Sequence, residues 1–148
     1  VRHQDIPEAL NKRSERVIGC AIEVHRAFGP GLLERMYEKA LCHVFKPQGI
    51  AFDRQVPVRL RYKGIELVGQ RIGLLVAGLI VVELKAVERV IEAHLAQLVS
   101  CLRAGPFPLG LLINFNAPAL RQGIERTVNS KAFPLAIPDQ LLPSATAA

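Results

Sequence analysis

Two residues of one apolar strand could do chemistry in this sequence. Glu83 and Lys85 close the run Leu79-Ile80-Val81-Val82-Glu83-Leu84-Lys85. Val and Ile suit a pleated surface because they are β-branched; a charged pair has no such reason to be there. Alternation along a strand puts Glu83 and Lys85 on one face, while Ile80, Val82 and Leu84 take the other. A carboxylate beside an ammonium at a strand end can hold a hard cation and stabilise an attacking or developing oxyanion. The plainer reading of the heptapeptide alone is an ordinary strand-end ion pair.

What lies across from the strand bears on that choice. Arg71 to Val76 reads as a strand, and Ala77-Gly78 as the turn that leads into the next one. With a three-residue turn, Val76 pairs with Ile80 and position 73 stands opposite Glu83 on the same face. A two-residue turn shifts the register and sends position 73 to the other side. In the first register, position 73 is where a second carboxylate would complete a divalent-metal site with Glu83. The residue there is Gly73.

The elements that must position these residues follow from periodicity. Val17, Ile18, Ala21, Ile22 and Val24 recur at helical spacing, which predicts a helix from Arg13 to about Phe28. Gly29-Pro30-Gly31 breaks it. A second helix is expected from Leu32 to about Phe45, with Leu33, Met36, Tyr37, Ala40, Leu41 and Val44 on its apolar side, and Lys46-Pro47-Gln48-Gly49 ends it. The pattern then alternates over Gln55–Tyr62, turns at Lys63-Gly64 and continues through Ile65–Val68; Pro57 suits an edge strand. After the central hairpin, Val87 to Leu102 reads as helix, Gly105-Pro106 stops it, and Leu109–Phe115 is a buried strand. Gly123–Val128 is compatible with a short strand and also with helix. Helices, several antiparallel strands, a helix and a last strand make an α/β architecture: a central mixed sheet flanked by helices. The expected organisation is an N-terminal extension over 1–12, one domain over 13–129 and a C-terminal tail over 130–148.

Several separate motifs share a family pattern. Gly31-Leu32-Leu33-Glu34-Arg35-Met36-Tyr37 reads G-x-x-E-x-x-Y, flanked by Glu23-Val24-His25-Arg26-Ala27-Phe28-Gly29-Pro30 and by Glu38-Lys39-Ala40-Leu41. Downstream, in the same order, come Val82-Glu83-Leu84-Lys85-Ala86-Val87-Glu88, His94-Leu95-Ala96-Gln97-Leu98 and Gly110-Leu111-Leu112-Ile113-Asn114-Phe115. From about Ser14 to Asn129 the chain resembles the GxxExxY protein family, which is similar to the PD-(D/E)XK nucleases. The resemblance implies a restriction-endonuclease-like α-β-β-β-α-β core and a phosphodiesterase that uses Mg²⁺ or Mn²⁺.

It also implies roles. Glu83 matches the acidic residue of the E-x-K element and would ligate the metal. Lys85 matches its lysine, which would position the attacking water or stabilise charge on the phosphate. Glu34 matches the helix glutamate that stands beside the metal, and Gln97 the glutamine on the following helix, with His94 and Cys101 on the same helical face. The pattern departs twice. The aspartate of the preceding strand falls on Gly73 within Arg71-Ile72-Gly73, and the tyrosine that follows the helix glutamine falls on Cys101. Loss of a metal carboxylate predicts binding weakened at least as much as by loss of a supporting partner, roughly 10–100-fold. Glu66 on the neighbouring strand could substitute; Asp53 and Glu23 are weaker candidates.

Each of these residues also has a plainer role open to it. Glu34 could complement a helix dipole, Gln97 could be a satisfied core amide, and His94, His25 and His43 could simply pack. Arg54, Arg59, Arg61 and Lys63 could form a solvated face or contact phosphates. No His/Cys spacing resembles a zinc site.

Composition limits the partners. The chain has 148 residues, half of them hydrophobic, and a net charge of +6 spread over most of its length, with no basic tail. That permits a nucleic-acid partner without requiring one. Cys20, Cys42 and Cys101 form no C-x-x-C pair and read as reduced thiols of a cytoplasmic protein. The longest apolar run, Ile72–Val82, is too short for a membrane span. The apolar tail Leu135–Leu142 could pack on its own chain or on a second copy, as a homo-oligomer would have it. Two functions therefore stand at this point. One is a PD-(D/E)XK-type nuclease acting on DNA or RNA phosphodiesters, impaired by Gly73. The other is an inactive pseudo-nuclease that binds nucleic acid or protein.

Overall fold

The computed structural model describes residues 6–132; the apolar segment 135–142 lies outside them. Among the described residues the α-helices are α1 (Glu8–Phe28), α2 (Glu34–Phe45) and α3 (Glu92–Ala104). The strands are β1 (Phe52–Pro57), β2 (Leu60–Tyr62), β3 (Ile65–Leu67), β4 (Arg71–Val76), β5 (Ile80–Lys85), β6 (Leu109–Asn114) and β7 (Ile124–Val128). A mixed sheet runs in the order β1-β4-β5-β6-β7, and β2-β3 is a separate hairpin. This is the expected α/β architecture, consistent with a restriction-endonuclease-like fold.

Both faces of the sheet are covered. Leu74, Val76, Ile80, Val82, Leu84, Leu109, Leu111, Ile113 and Phe115 pack with Leu10, Val17, Ala21, Tyr37, Leu41 and Phe45 of α1 and α2. On the other side, Leu75, Val81 and Leu112 meet Leu98, Cys101 and Leu102 of α3. Burial on both faces explains why β6 is apolar at nearly every position. The parallel step from β5 to β6 is made through α3, as a parallel pair requires a crossover. Cys20, Cys42 and Cys101 are all buried free thiols. Among the described residues no helix is long and apolar enough to cross a membrane.

The structure redraws several boundaries. Helix α1 starts at Glu8 rather than Arg13: Pro7 occupies the N-cap position, and Ile6 and Leu10 are already in the core. The alternating run 55–62 is two strands, because Pro57 cannot donate to a ladder and Val58 turns inward, its N–H bonding the Gln70 carbonyl at 2.8 Å. β1 is indeed an edge strand, bonded only to β4. Helix α3 begins at Glu92, five residues later than the pattern suggests. The Asn114 side chain holds Val87 out of the helix, accepting from the Val87 N–H at 3.1 Å and donating to the Val87 carbonyl at 2.9 Å. Residues 124–128, open between helix and strand, form strand β7 against β6.

Candidate metal-binding active site

The β4–β5 hairpin builds the site. Val76 pairs with Ile80, Leu75 with Val81 and Leu74 with Val82, which is the register of a three-residue turn and brings Gly73 level with Glu83. Beyond Leu74 the strands are joined differently: the Gly73 N–H donates to Oε1 of Glu83 at 3.3 Å. The ladder to β1 lapses at the same place. It runs through Arg54 and Leu74 and resumes at Val56 and Ile72, while the skipped Gln55 has φ 52°. Alternation breaks with it, since Ile72 packs on the α3 side and Leu74 on the side of α1 and α2.

This irregularity opens a small cradle. A Cβ at position 73 would lie 3.4 Å from Oε1 of Glu38, 3.8 Å from Oε2 of Glu83 and 3.8 Å from the Val82 carbonyl oxygen. Glu38 is thus a site residue that the sequence reading did not single out. Its signal was its position: one helical turn after Glu34, on the same face of α2. Its other oxygen, Oε2, accepts from Arg54 Nη2 at 2.7 Å, and Oε1 has a long contact of 3.4 Å from Gln55 Nε2. The Glu38 side chain is only 13% exposed. An open depression of about 350 Å³ beside it is lined by Leu33, Glu34, Arg35, Glu38 and Gln55.

Electrostatics agree with that geometry. Burial pushes the Glu83 carboxyl to hold its proton more tightly than an ordinary glutamate; the charges of Glu34 and Glu38 add to this, while the Gly73 N–H and the Lys85 charge oppose it. Glu34, exposed at the first position of α2, is therefore near enough to act on Glu83. Lys85 is half-buried beside it. The two are not within ion-pair contact, although the Lys85 charge acts on the Glu83 carboxyl. Lys85 is fixed instead from the other side, its carbonyl accepting from the Phe115 N–H at 2.9 Å.

The remaining candidates are placed as follows. Gln97 is exposed on α3 and makes no hydrogen bond among the described residues, so it is not a core amide. Cys101, by contrast, is turned inward with Leu98 and Leu102. Its thiol is pushed up by burial and then by the Glu83 charge, and it accepts from Gln70 Nε2 at 3.3 Å. His94 caps its own helix, Nδ1 accepting from the Ile91 N–H at 3.2 Å. His25 packs near Phe115 with Nε2 2.8 Å from the Ala117 carbonyl. Glu66 lies on the separate β2–β3 hairpin, engaged by Arg59 at 3.2 Å. Of the four alternating basic residues, Arg54 and Arg59 are thus in ion pairs, and the Lys63 ammonium lies 5.4 Å from the Tyr62 ring centre.

The donors suit a hard cation in kind. Carboxylate oxygens of Glu83 and Glu38 and the Val82 carbonyl oxygen are the three atoms nearest the cradle at position 73. Among the described residues no three His, Cys, Asp or Glu side chains group as a metal cage. Mg²⁺ uses one or two carboxylates and keeps several waters. The residues present therefore fit a hydrated Mg²⁺ or Mn²⁺ and not a fully enclosed ion.

A family model described as PD-(D/E)XK nuclease superfamily matches residues 11–127. No curated protein and no solved structure matches the chain.

Proposed function

Because the chain belongs to the PD-(D/E)XK nuclease superfamily, we propose that it is a divalent-metal-dependent nuclease acting on DNA or RNA phosphodiesters. One observation carries this reading. Glu83 is half-buried with one oxygen tied to the Gly73 N–H and the other bordering the cradle, while Lys85 stands beside it without pairing to it.

Mg²⁺ or Mn²⁺, when bound, supplies Lewis-acid polarisation of the phosphoryl group and a more acidic water. Glu83 holds the cation from the strand, and Glu34 presents a carboxylate at the mouth of the site. The Lys85 ammonium, in no ion pair among the described residues, orients the attacking water or donates to a phosphoryl oxygen as negative charge builds there. Gln97, exposed on α3, offers its amide to the bound strand. The test is cleavage of single- and double-stranded DNA and RNA in Mn²⁺ by the parent protein and by Glu83→Ala. Metal-dependent cutting that Glu83→Ala abolishes supports the reading. Cutting that survives the substitution comes from a contaminant and rejects it.

A second reading is favoured by Gly73 and by the absence of a three-residue metal group among the described residues. On it, the fold persists as an inactive nucleic-acid-binding or protein-interaction module. That version shows no cleavage in Mn²⁺, and any nucleic-acid affinity falls steeply with salt.

A further inference from the structure

We propose that Glu38 supplies the carboxylate that position 73 lacks, so that the cation is held between a helix carboxylate and a strand carboxylate. The inference rests on the metal-dependent reading above and adds a ligand to it.

The arrangement of oxygens is the reason. Each of the two carboxylates has one oxygen committed and one turned to the same small space. Glu83 Oε1 is held by the Gly73 N–H at 3.3 Å, and its Oε2 lies 3.8 Å from where a Cβ at 73 would be. Glu38 Oε2 is held by Arg54 at 2.7 Å, and its Oε1 lies 3.4 Å from that same point. Among the described residues, the hydrogen bond that Glu38 Oε1 accepts is the long one from Gln55. Metal-ligating carboxylates are in general held in this way, with a partner fixing the oxygen that does not ligate. Arg54 also offsets part of the charge that two neighbouring carboxylates would otherwise place on one another.

Glycine at 73 is then a consequence of this arrangement. Its backbone does not need glycine, since its φ lies outside the left-handed region. A Cβ there would rest at ordinary contact distance, 3.4 Å from Glu38 Oε1, so the cost of an Asp is charge and not space: it would set a third carboxylate beside Glu38 and Glu83. The second carboxylate can sit on the strand or on the helix, and both together repel. Glu66 lies on the separate β2–β3 hairpin, where Arg59 engages it.

The experiment is a calorimetric Mn²⁺ titration of the parent, Glu38→Gln, Glu83→Gln, Gly73→Asp and the double variant Gly73→Asp/Glu38→Gln, each first shown to be folded by circular dichroism. The parent is expected to bind. Glu38→Gln should weaken binding roughly 10–100-fold, Gly73→Asp alone should not strengthen it, and the double variant should recover to within a few-fold of the parent. That recovery separates a lost ligand from a damaged fold. Binding that depends on Glu83 but is unchanged in Glu38→Gln overturns the proposal and leaves the metal-dependent reading standing. Binding seen only in variants that carry Asp at 73 also overturns it, and makes the parent a site disabled by one residue. Absence of binding in every protein rejects both.

Discussion

The Gly73 N–H and Glu83 Oε1 are hydrogen-bonded at 3.3 Å across the open end of the β4–β5 hairpin. The residue that lacks a carboxylate therefore orients the carboxylate opposite it, and does so through its backbone. A side chain introduced at 73 leaves that bond available, so substitutions there change the donor set without releasing Glu83. This separates two effects that most active-site substitutions confound.

The proton affinity of Glu83 predicts a pH dependence. Burial raises it, and the charges of Glu34 and Glu38 raise it further. The folded protein then binds this proton more tightly than the unfolded chain, whose glutamates titrate near about 4.3. Stability contributed by the protonated form is complete below that value and is lost as pH rises through the raised one. Glu83→Gln removes that loss. Without divalent metal, the variant should gain melting temperature relative to the parent between pH 4 and pH 8, on the order of a few degrees, and Mn²⁺ should raise only the parent. Parallel melting profiles over that range would show that Glu83 titrates like an exposed glutamate.

The sequence made the sheet and the Glu83–Lys85 strand legible because both rest on strong local signals. β5 is apolar with period two, and its turn has only a small set of registers. The register in turn identified position 73 as the one that faces Glu83. What remained hidden depends on contacts between distant segments. Glu38 sits in a run of charged residues on α2, and only its approach to β4 distinguishes it from Glu34 and Lys39. The late start of α3 was hidden for the same reason, since Val87 to Ile91 is compatible with helix until Asn114 claims its backbone. The two roles open to Gln97, site residue and core amide, were not separable from the sequence because α3 has apolar residues on more than one side; packing buries Leu98, Cys101 and Leu102 and leaves Gln97 exposed.

Asn114 yields a stability prediction. It is buried at the end of β6 and satisfies three backbone groups: the Val87 N–H at 3.1 Å, the Val87 carbonyl at 2.9 Å and the Asn116 N–H at 3.1 Å. Asn114→Leu keeps the volume and leaves these groups without their partner, at about 1–3 kcal/mol for each one that water cannot reach. The expected loss in urea unfolding is about 3 kcal/mol. Asn114→Asp keeps the acceptor for both N–H groups but sets a carboxylate oxygen against the Val87 carbonyl, a repulsion that protonation relieves, so its loss should shrink toward acid pH while that of Asn114→Leu does not. Losses that stay equal in the two variants at every pH would mean that these hydrogen bonds do not carry the stability.

Tyr37, the last residue of the G-x-x-E-x-x-Y run, anchors the loop that leads into α2. Its ring is fully buried and stacks on Phe115 with centroids 4.4 Å apart and planes 13° apart. Its hydroxyl donates to the Gly29 carbonyl at 2.5 Å and accepts from the Leu32 N–H at 3.1 Å. The turn between these two contacts needs glycine, with φ 63° at Gly29 and 114° at Gly31. One side chain thus ties both ends of the Gly-Pro-Gly turn and, through it, fixes where Glu34 begins the helix. Tyr37→Phe keeps the stack and removes both hydrogen bonds, with an expected cost of about 2 kcal/mol. Tyr37→Ala removes the ring as well and should cost about 3–5 kcal/mol. If Tyr37→Phe stays within about 0.5 kcal/mol of the parent in denaturant unfolding, a margin ordinary for a neutral surface change, the hydroxyl does not hold the turn. The motif's tyrosine would then be a packing residue that phenylalanine replaces.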